Sequence, residues 1–322
     1  IRKANKILLN CHRAPDPDSI CSALAMSEVI KNMGKEVTII CPSEELYENV
    51  NYLKGFENIK KGVDFAKFDF SQYDLFLTLD SSNWEMITGS KVFIPNNIKT
   101  IVIDHHGTNT KYGSICLVDK DITSTGELLF LIFEDWGVNI EKDVANSLMA
   151  GIVGDTGAFR YPGSNDKTFR VASELMKIGA DKDQAVHHLY RSDSFEMIKF
   201  YAEVLSRVEI DRENKFIWST VPFSVYEKLG RPTLAKESSA SLFCQVVEGT
   251  DFGFVAVEQE KNKLAISFRS RTGFDTSIIA LELGGGGHIY ASGAKIEGLP
   301  FDKAVEKLLT TVRRIVDERK VK

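Results

Sequence analysis

The stretch TIVIDHHGTN, residues 100–109, places three β-branched apolar residues directly before an aspartate and two adjacent histidines. Such a run predicts a short buried strand, with Asp104, His105 and His106 following at its carboxyl end. Two interpretations are open for this stretch alone. Asp104 could cap a polar turn whose histidines face water, or the three side chains could belong to a functional site. The rest of the chain decides between them.

Composition limits the class of protein. The chain has 322 residues, 43% hydrophobic and 26% charged, so two globular domains are expected. The longest apolar run, LLFLIF at 128–133, is too short to span a membrane, and we expect a soluble, cytoplasmic protein with no membrane partner. The net charge of −5 provides no basic field for tight binding to long duplex nucleic acid. Five widely spaced cysteines predict reduced thiols.

The order of apolar segments predicts an α/β fold. Five short apolar runs separated mostly by helical patterns are typical of a parallel sheet. These runs are KILLNC, VTIICP, DLFLTLD, TIVIDHH and SICLVD. We predict a larger N-terminal lobe with a mostly parallel five-stranded sheet flanked by helices (1–185), a helical linker (186–210) containing a helix over 194–210, and a smaller α/β C-terminal lobe with a mixed sheet (211–322). The active site is expected in the cleft between the lobes.

Acidic and histidine side chains follow several of these strands. Because the carboxyl ends of parallel strands meet at one edge of a sheet, the side chains are expected to lie together. They are His12, Asp16 and Asp18 after the first strand, Asp80 after the third, Asp104, His105 and His106 after the fourth, and Asp155 at the end of a helical run. Several carboxylates in one place repel one another unless cations neutralise them. The sequence therefore predicts a metal site.

The types of ligand indicate which metal to expect. Carboxylates mixed with imidazoles favour Mn²⁺, with Mg²⁺ or Co²⁺ as substitutes. There are enough ligands for two ions about 4 Å apart, the spacing that clamps the attacking and leaving oxygens in phosphoryl chemistry. We therefore expect two Mn²⁺ ions as cofactors.

These motifs resemble those of the DHH phosphoesterases, a family named for the motif found here at residues 104–106. The resemblance includes H-x-x-P-D-x-D at 12–18, the strand-end Asp80, and G-D-T-G at 154–157. One departure is Cys21, which stands where the first motif usually continues with glycine. Because the motifs occur together and in order, the interpretation as a solvated turn is disfavoured.

The resemblance implies a role for each site residue, with Asp80 bridging two metals. The implied ligands are His12, Asp16 and Asp80 for one metal, and Asp18, Asp80, His105 and Asp155 for the other. His106 would face the substrate phosphate, and Asp104 would fix the orientation of the histidine. The implied reaction is hydrolysis by a water activated between the two metals.

The second lobe resembles the DHH-associated C-terminal domain through FRSR at 268–271 and GGGGHIYASG at 284–293. A glycine run alone would indicate a flexible turn. Within this pattern, glycine amides and a histidine are expected to hold a phosphate or nucleotide end, and an arginine to bind phosphate through two nitrogens. The expected substrate-binding residues are Arg269, Ser270, Gly285, Gly286, Gly287 and His288, with Arg160 as a further candidate.

The resemblance implies a manganese-dependent hydrolase of phosphoester bonds. Nano-RNase members of the family degrade oligoribonucleotides only a few nucleotides long and dephosphorylate 3′-phosphoadenosine 5′-phosphate (pAp). Three alternatives stay open: a phosphodiesterase for linear dinucleotides such as pApA, a polyphosphate phosphatase, and a non-catalytic nucleotide sensor. The expected partners are short single-stranded oligoribonucleotides or small nucleotides, and both a monomer and a homodimer are compatible with the sequence.

Overall fold

A computed structural model describes residues 1–89, 98–232 and 235–320. The chain divides into two units, Ile1–Ser192 and Asp193–Lys322. Within the described ranges, no helix has both the length and the apolar content needed to cross a membrane.

Five parallel strands form the sheet of the first unit, in the order β2-β1-β3-β4-β5. Leucine, isoleucine and valine dominate them and fit a pleated surface that is covered on both faces. The strands are β1 (Lys6–Asn10), β2 (Glu36–Ile40), β3 (Leu75–Leu79), β4 (Lys99–Asp104) and β5 (Ile115–Val118). Leu9 pairs with Ile39 and Leu77, and Leu79 pairs with Ile103. The carboxyl ends of β1, β3 and β4 therefore lie side by side.

Helices cover this sheet. In the described part of the first unit they are α1 (Pro17–Asn32), α2 (Trp84–Thr88), α3 (Thr125–Asp135), α4 (Lys142–Asp155), α5 (Asp166–Ile178) and α6 (Lys182–Tyr190). Asp16, Ser124 and Asn165 cap α1, α3 and α5, because their side chains accept hydrogen bonds from first-turn N–H groups. Apolar side chains pack on both faces of the sheet: Leu9 belongs to one buried cluster and Leu8 to another.

One mixed sheet organises the second unit, in the order β10-β11-β9-β8-β7-β6. Its strands are β6 (Glu209–Asp211), β7 (Phe216–Val221), β8 (Phe252–Glu260), β9 (Lys263–Ser270), β10 (Gly286–Gly287) and β11 (Ala291–Glu297). Its helices are α7 (Phe195–Ser206), α8 (Phe223–Lys228), α9 (Ala235–Phe243), α10 (Ser277–Glu282) and α11 (Phe301–Lys320). Because side chains alternate along a strand, Phe254 packs with α10 and α11, whereas Val255 packs with α7 and α9.

The predicted fold class is confirmed, since a parallel five-stranded sheet with flanking helices is followed by a mixed sheet. The helix predicted over 194–210 is shorter than expected and ends at Ser206. Glu209–Asp211 instead pairs with β7, and the β-branched Val208 and Ile210 favour an extended backbone there. The exact domain limits remain a prediction.

Candidate metal centre

The carboxyl edge of the first sheet gathers the residues predicted for the site. His12 follows β1, Asp80 directly follows β3, and Asp104 is the last residue of β4. Asp16 comes from the start of α1 and Asp155 from the end of α4. The described residues form three overlapping groups, and within each group one ligand atom of every member lies within 4.8 Å of the others.

The first group contains His12, Asp16 and Asp80. His12 Nε2 lies 3.5 Å from Asp16 Oδ2 and 3.7 Å from Asp80 Oδ2. Asp16 is oriented by its capping role, because Oδ1 accepts a hydrogen bond of 2.9 Å from Ser19 N and Oδ2 faces the histidine. The group is buried at His12 and Asp80 but reaches solvent at Asp16, whose side chain is 46% exposed.

The second group contains Asp18, His105 and Asp155. His105 Nε2 lies 3.1 Å from Asp155 Oδ2. Asp18 is fully buried, and its two oxygens accept hydrogen bonds from Thr125 N at 2.6 Å and Gly126 N at 2.9 Å. These two N–H groups begin α3, where the helix dipole favours a negative charge. The start of α3 therefore holds Asp18 in place.

Asp80 belongs to the first group and also approaches the second. Its Oδ2 is 3.7 Å from His12 Nε2, whereas its Oδ1 is 3.5 Å from His105 Nε2. The backbone of Asp80 has a φ of 50°, a left-handed conformation that is uncommon outside glycine and recurs at functional sites. A hydrogen bond of 3.0 Å from Asp80 N to Ile103 O holds this conformation against β4. The two carboxylate oxygens thus face different groups, as a bridging ligand requires.

His106 is held by Asp104. The distance from His106 Nδ1 to Asp104 Oδ1 is 2.6 Å, and Asn109 Nδ2 donates to Asp104 Oδ2 at 2.6 Å. Burial alone would raise the pKa of Asp104, but the hydrogen bonds from His106 and Asn109 outweigh it and lower this pKa below its ordinary value. Asp104 is thus an ionised acceptor that orients the ring. Asp80, His105 and His106 form the third group, so spacing alone also permits His106 as a ligand.

The buried carboxylates concentrate negative charge at this edge. Burial and the Asp155 carboxylate raise the pKa of Asp18 to about 7. Burial and the Asp18 carboxylate raise the pKa of Asp80 well above its usual range. Burial lowers the pKa of His105, but its hydrogen bond with Asp155 outweighs this effect and raises it. Divalent cations would relieve the repulsion between the carboxylates.

The donor atoms in these groups fit divalent metal ions. They are carboxylate oxygens and imidazole nitrogens, and the three groups found among the described residues contain no thiolate. A mixed oxygen and nitrogen set suits Mn²⁺, whereas a set of oxygens alone would suit Mg²⁺ or Ca²⁺. The site therefore has the ligands for metal, and the preference for Mn²⁺ remains a prediction.

In the second unit, Arg269 lies near the end of β9. Its Nε donates to Ser241 Oγ at 3.1 Å, and its Nη1 donates to Ser267 Oγ at 2.9 Å. Ser270 is buried, and its Oγ accepts a hydrogen bond of 3.1 Å from Gly273 N. Arg269 is therefore positioned against α9, while Ser270 stabilises the turn after β9.

The glycine run at 284–287 follows α10, and its last two residues form β10. Gly287 has a φ of 136°, which favours glycine, and a Cβ at Gly285 would overlap Gly293 O. A Cβ at Gly286, in contrast, would meet nothing within 4 Å. His288 is exposed, and its backbone N–H donates to Ala291 O at 2.7 Å. Backbone conformation and packing explain Gly285 and Gly287 but leave Gly286 unexplained.

Arg160 lies in the first unit, shortly after the end of α4. Its Nε donates to Gly157 O at 2.6 Å, and its guanidinium carbon lies 5.4 Å from the centroid of the Tyr190 ring. These contacts fix the guanidinium beside the Gly157 carbonyl and the Tyr190 ring, and its role in substrate binding remains a prediction.

The sequence does not predict the placement of two residues, one beside the metal groups and one beside Arg269. Thr125 Oγ1 donates to Asp80 Oδ1 at 2.9 Å. Lys236 on α9 has a side chain only 15% exposed, and burial and the nearby Arg269 lower its pKa to about 8. The pattern S-T-G-E at 124–127 marks a helix start. It does not reveal which carboxylate the threonine contacts, and no sequence pattern marks Lys236.

Comparison with known families identifies both parts of the chain. Residues 6–152 match the N-terminal domain of the DHH family, and residues 243–318 match the DHHA1 domain. The chain therefore contains a DHH domain and a DHHA1 domain, and it is a hydrolase that acts on phosphoester bonds.

Individual proteins are similar to most of the chain. The bifunctional oligoribonuclease and PAP phosphatase NrnA of Thermus thermophilus is 29% identical over 319 residues, covering 95% of this chain and 89% of that protein. NrnA of Bacillus subtilis is 26% identical over 295 residues, covering 90% and 89%. A crystal structure of an exopolyphosphatase-related protein from Bacteroides fragilis matches with a TM-score of 0.90 and 24% identity, covering 99% of this chain and 94% of that one. Because the identity to the Bacteroides fragilis protein is low, this structural similarity shows that the two chains share a fold and no more.

Proposed function

We propose that this chain is a manganese-dependent phosphoesterase that hydrolyses short oligoribonucleotides and pAp to mononucleotides. The observation that carries the proposal is that Asp80, a member of the first acid–histidine group, also approaches His105 of the second group at the sheet edge. The substrate class is supported by the two relatives that are bifunctional oligoribonucleases and PAP phosphatases.

The metal ligands are assigned from these groups. His12, Asp16 and Asp80 would hold the first ion, and Asp18, Asp80, His105 and Asp155 would hold the second. When bound, the ions supply Lewis acidity and lower the pKa of water toward neutrality.

His106 is assigned to the substrate phosphate. When both ring nitrogens are protonated, Nδ1 donates to Asp104, and Nε2 can donate to a phosphate oxygen. Because Asp104 and Asn109 fix the ring, this donor does not have to reorganise as charge develops on the phosphate. His106 therefore stabilises the transition state more than the ground state.

The second unit supplies anchors for a further phosphate or nucleotide. Arg269 and the partly buried Lys236 are cations on the same part of that unit, and the Gly286 backbone has open space where a side chain would stand. Ser270 in FRSR and His288 in GGGGH are assigned to the same anchoring role. Arg160 is a further candidate cation, in the first unit. Because the net charge of the chain is −5, each additional phosphate of a long strand adds little binding free energy. Short substrates are therefore favoured.

An activity panel with the Mn²⁺-loaded protein tests this function. The panel contains pAp, pApA, pGpG, RNAs of five and about 24 nucleotides, and inorganic polyphosphate. We expect turnover of the first three and of the five-nucleotide RNA, and much slower turnover of the longer RNA, because few anchors are available. Asp80→Asn is the inactive control. Exclusive cleavage of pApA would favour the dinucleotide phosphodiesterase, and exclusive cleavage of inorganic polyphosphate the polyphosphate phosphatase. Binding without turnover would indicate a nucleotide sensor.

A further inference from the structure

The start of α3 contacts two of the proposed metal ligands at once. Thr125 N donates to Asp18 Oδ2 at 2.6 Å, and Thr125 Oγ1 donates to Asp80 Oδ1 at 2.9 Å. Gly126 N donates to the other oxygen of Asp18 at 2.9 Å. A single residue, Thr125, therefore spans a carboxylate of the second group and the carboxylate shared by both groups.

These contacts are shielded from water. Thr125 and Asp18 are fully buried, and Asp80 is 1% exposed. In such surroundings, a hydroxyl that donates to a carboxylate restricts the rotation of that carboxylate more effectively than a solvated one does. The hydrogen bond reaches the oxygen of Asp80 that lies 3.5 Å from His105 Nε2. It therefore helps to hold Asp80 with one oxygen toward each group.

The segment that carries Thr125 is itself anchored. Ser124 caps α3 by accepting a hydrogen bond of 3.0 Å from Glu127 N. The buried Glu127 carboxylate accepts hydrogen bonds from Thr123 N at 3.2 Å and from Thr168 Oγ1 at 3.1 Å. The second of these bonds joins the start of α3 to α5. Thr125 is thus presented to the carboxylates from a rigid position.

We propose that Thr125 is a positioning residue of the metal centre, which sets the relative placement of Asp18 and Asp80 for metal binding. This inference rests on the proposed function, because it assumes that both carboxylates are ligands. It assigns Thr125 no contact with the substrate. The hydroxyl acts through Asp80, and the backbone N–H acts through Asp18.

Calorimetric titration of Mn²⁺ into the metal-free chain of 322 residues tests this role without any substrate. Thr125→Val keeps the shape and the backbone N–H but removes the hydroxyl, whereas Thr125→Ser keeps the hydroxyl. We expect Thr125→Val to bind Mn²⁺ about 10-fold more weakly, the effect of one lost hydrogen bond to a charged group. Thr125→Ser should bind like the parent. Thr123→Val is the matched control, because its hydroxyl bonds Glu127 rather than Asp80.

The outcomes separate this inference from the function on which it rests. Parent affinity in Thr125→Val, or equal weakening in Thr125→Val, Thr125→Ser and Thr123→Val, would overturn the positioning role. A parent chain that binds no Mn²⁺ would overturn the proposed metal sites together with this inference. A chain that binds Mn²⁺ as expected but fails to cleave pAp or short RNA would overturn only the proposed substrates. Thermal unfolding of the metal-free variants shows whether a loss of affinity reflects a loss of folding.

Discussion

At the scale of single residues, the adjacent histidines His105 and His106 have different environments. His105 Nε2 lies 3.1 Å from Asp155 Oδ2, in the second acid–histidine group. His106 Nδ1 lies 2.6 Å from Asp104, which Asn109 also holds. The first histidine therefore has the surroundings of a ligand, and the second those of an oriented hydrogen-bond donor.

Substitution of each histidine tests this difference. We expect His105→Ala to lower the Mn²⁺ content of the purified protein. His106→Ala should keep the metal and lose about 10²-fold in kcat, as when a donor to a developing negative charge is removed. Elemental analysis beside kcat for pAp distinguishes the two effects. An equal loss of metal in both variants would show that His106 is also a ligand, which the third group permits.

That these side chains lie close together could be predicted, because they stand near the ends of strands or helices in a recognisable order. Asp80, Asp104 and His105 all stand at the carboxyl ends of parallel strands, where side chains converge whatever the details of packing. The contact between Thr125 and Asp80 could not be predicted. It joins positions far apart in the chain, and it depends on how α3 approaches the sheet.

At the scale of secondary structure elements, the close packing of α1 against α4 shapes the pocket of Asp18. A Cβ built on Gly151 of α4 would lie 2.6 Å from Asp18 Oδ1 and 3.5 Å from Cys21 Cβ. The first distance is a clash, whereas the second is an ordinary contact. The Asp18 carboxylate therefore requires glycine at residue 151, whereas Cys21, which stands where the first motif usually has glycine, does not.

A double-mutant cycle tests this packing. In the metal-free parent, Gly151→Ala should cost about 1–3 kcal/mol of unfolding free energy, because the new methyl group displaces the Asp18 carboxylate. In an Asp18→Ala background, the same change should be neutral or stabilising, since alanine is a better helix former than glycine. The shift in thermal unfolding temperature measures both costs. Equal costs in the two backgrounds would mean that Asp18 is not what the methyl group meets.

The sequence predicted the long elements better than the short ones. The apolar spacing of α3, α4 and α5 predicts helices, and the structure has helices at all three positions. The short helices α8 and α10, with six residues each, carry too few apolar positions to show a helical period. The helix predicted over 194–210 runs past the end of α7 because Glu209–Asp211 becomes a strand by pairing with β7, a distant contact that the spacing of apolar residues does not reveal.

At the scale of the whole molecule, the proposed chemistry and the proposed recognition belong to different units. The three candidate metal groups consist of residues from Ile1–Ser192. Arg269 and His288 belong to Asp193–Lys322. A change in the second unit should therefore alter substrate binding and leave the metal ligands intact.

The most direct test of the account compares kcat/KM for pAp with that for the small diester bis-p-nitrophenyl phosphate in the Mn²⁺-loaded parent, Asp80→Ala and Arg269→Ala. Loss of the shared ligand in Asp80→Ala should abolish hydrolysis of both substrates. Arg269→Ala should lose about 10- to 100-fold on pAp, the effect of one lost charge-assisted contact, and little on the diester, which has no second phosphate to anchor. Hydrolysis of both substrates by Asp80→Ala at the parent rate would contradict the central claim that chemistry takes place at the carboxylates around Asp80.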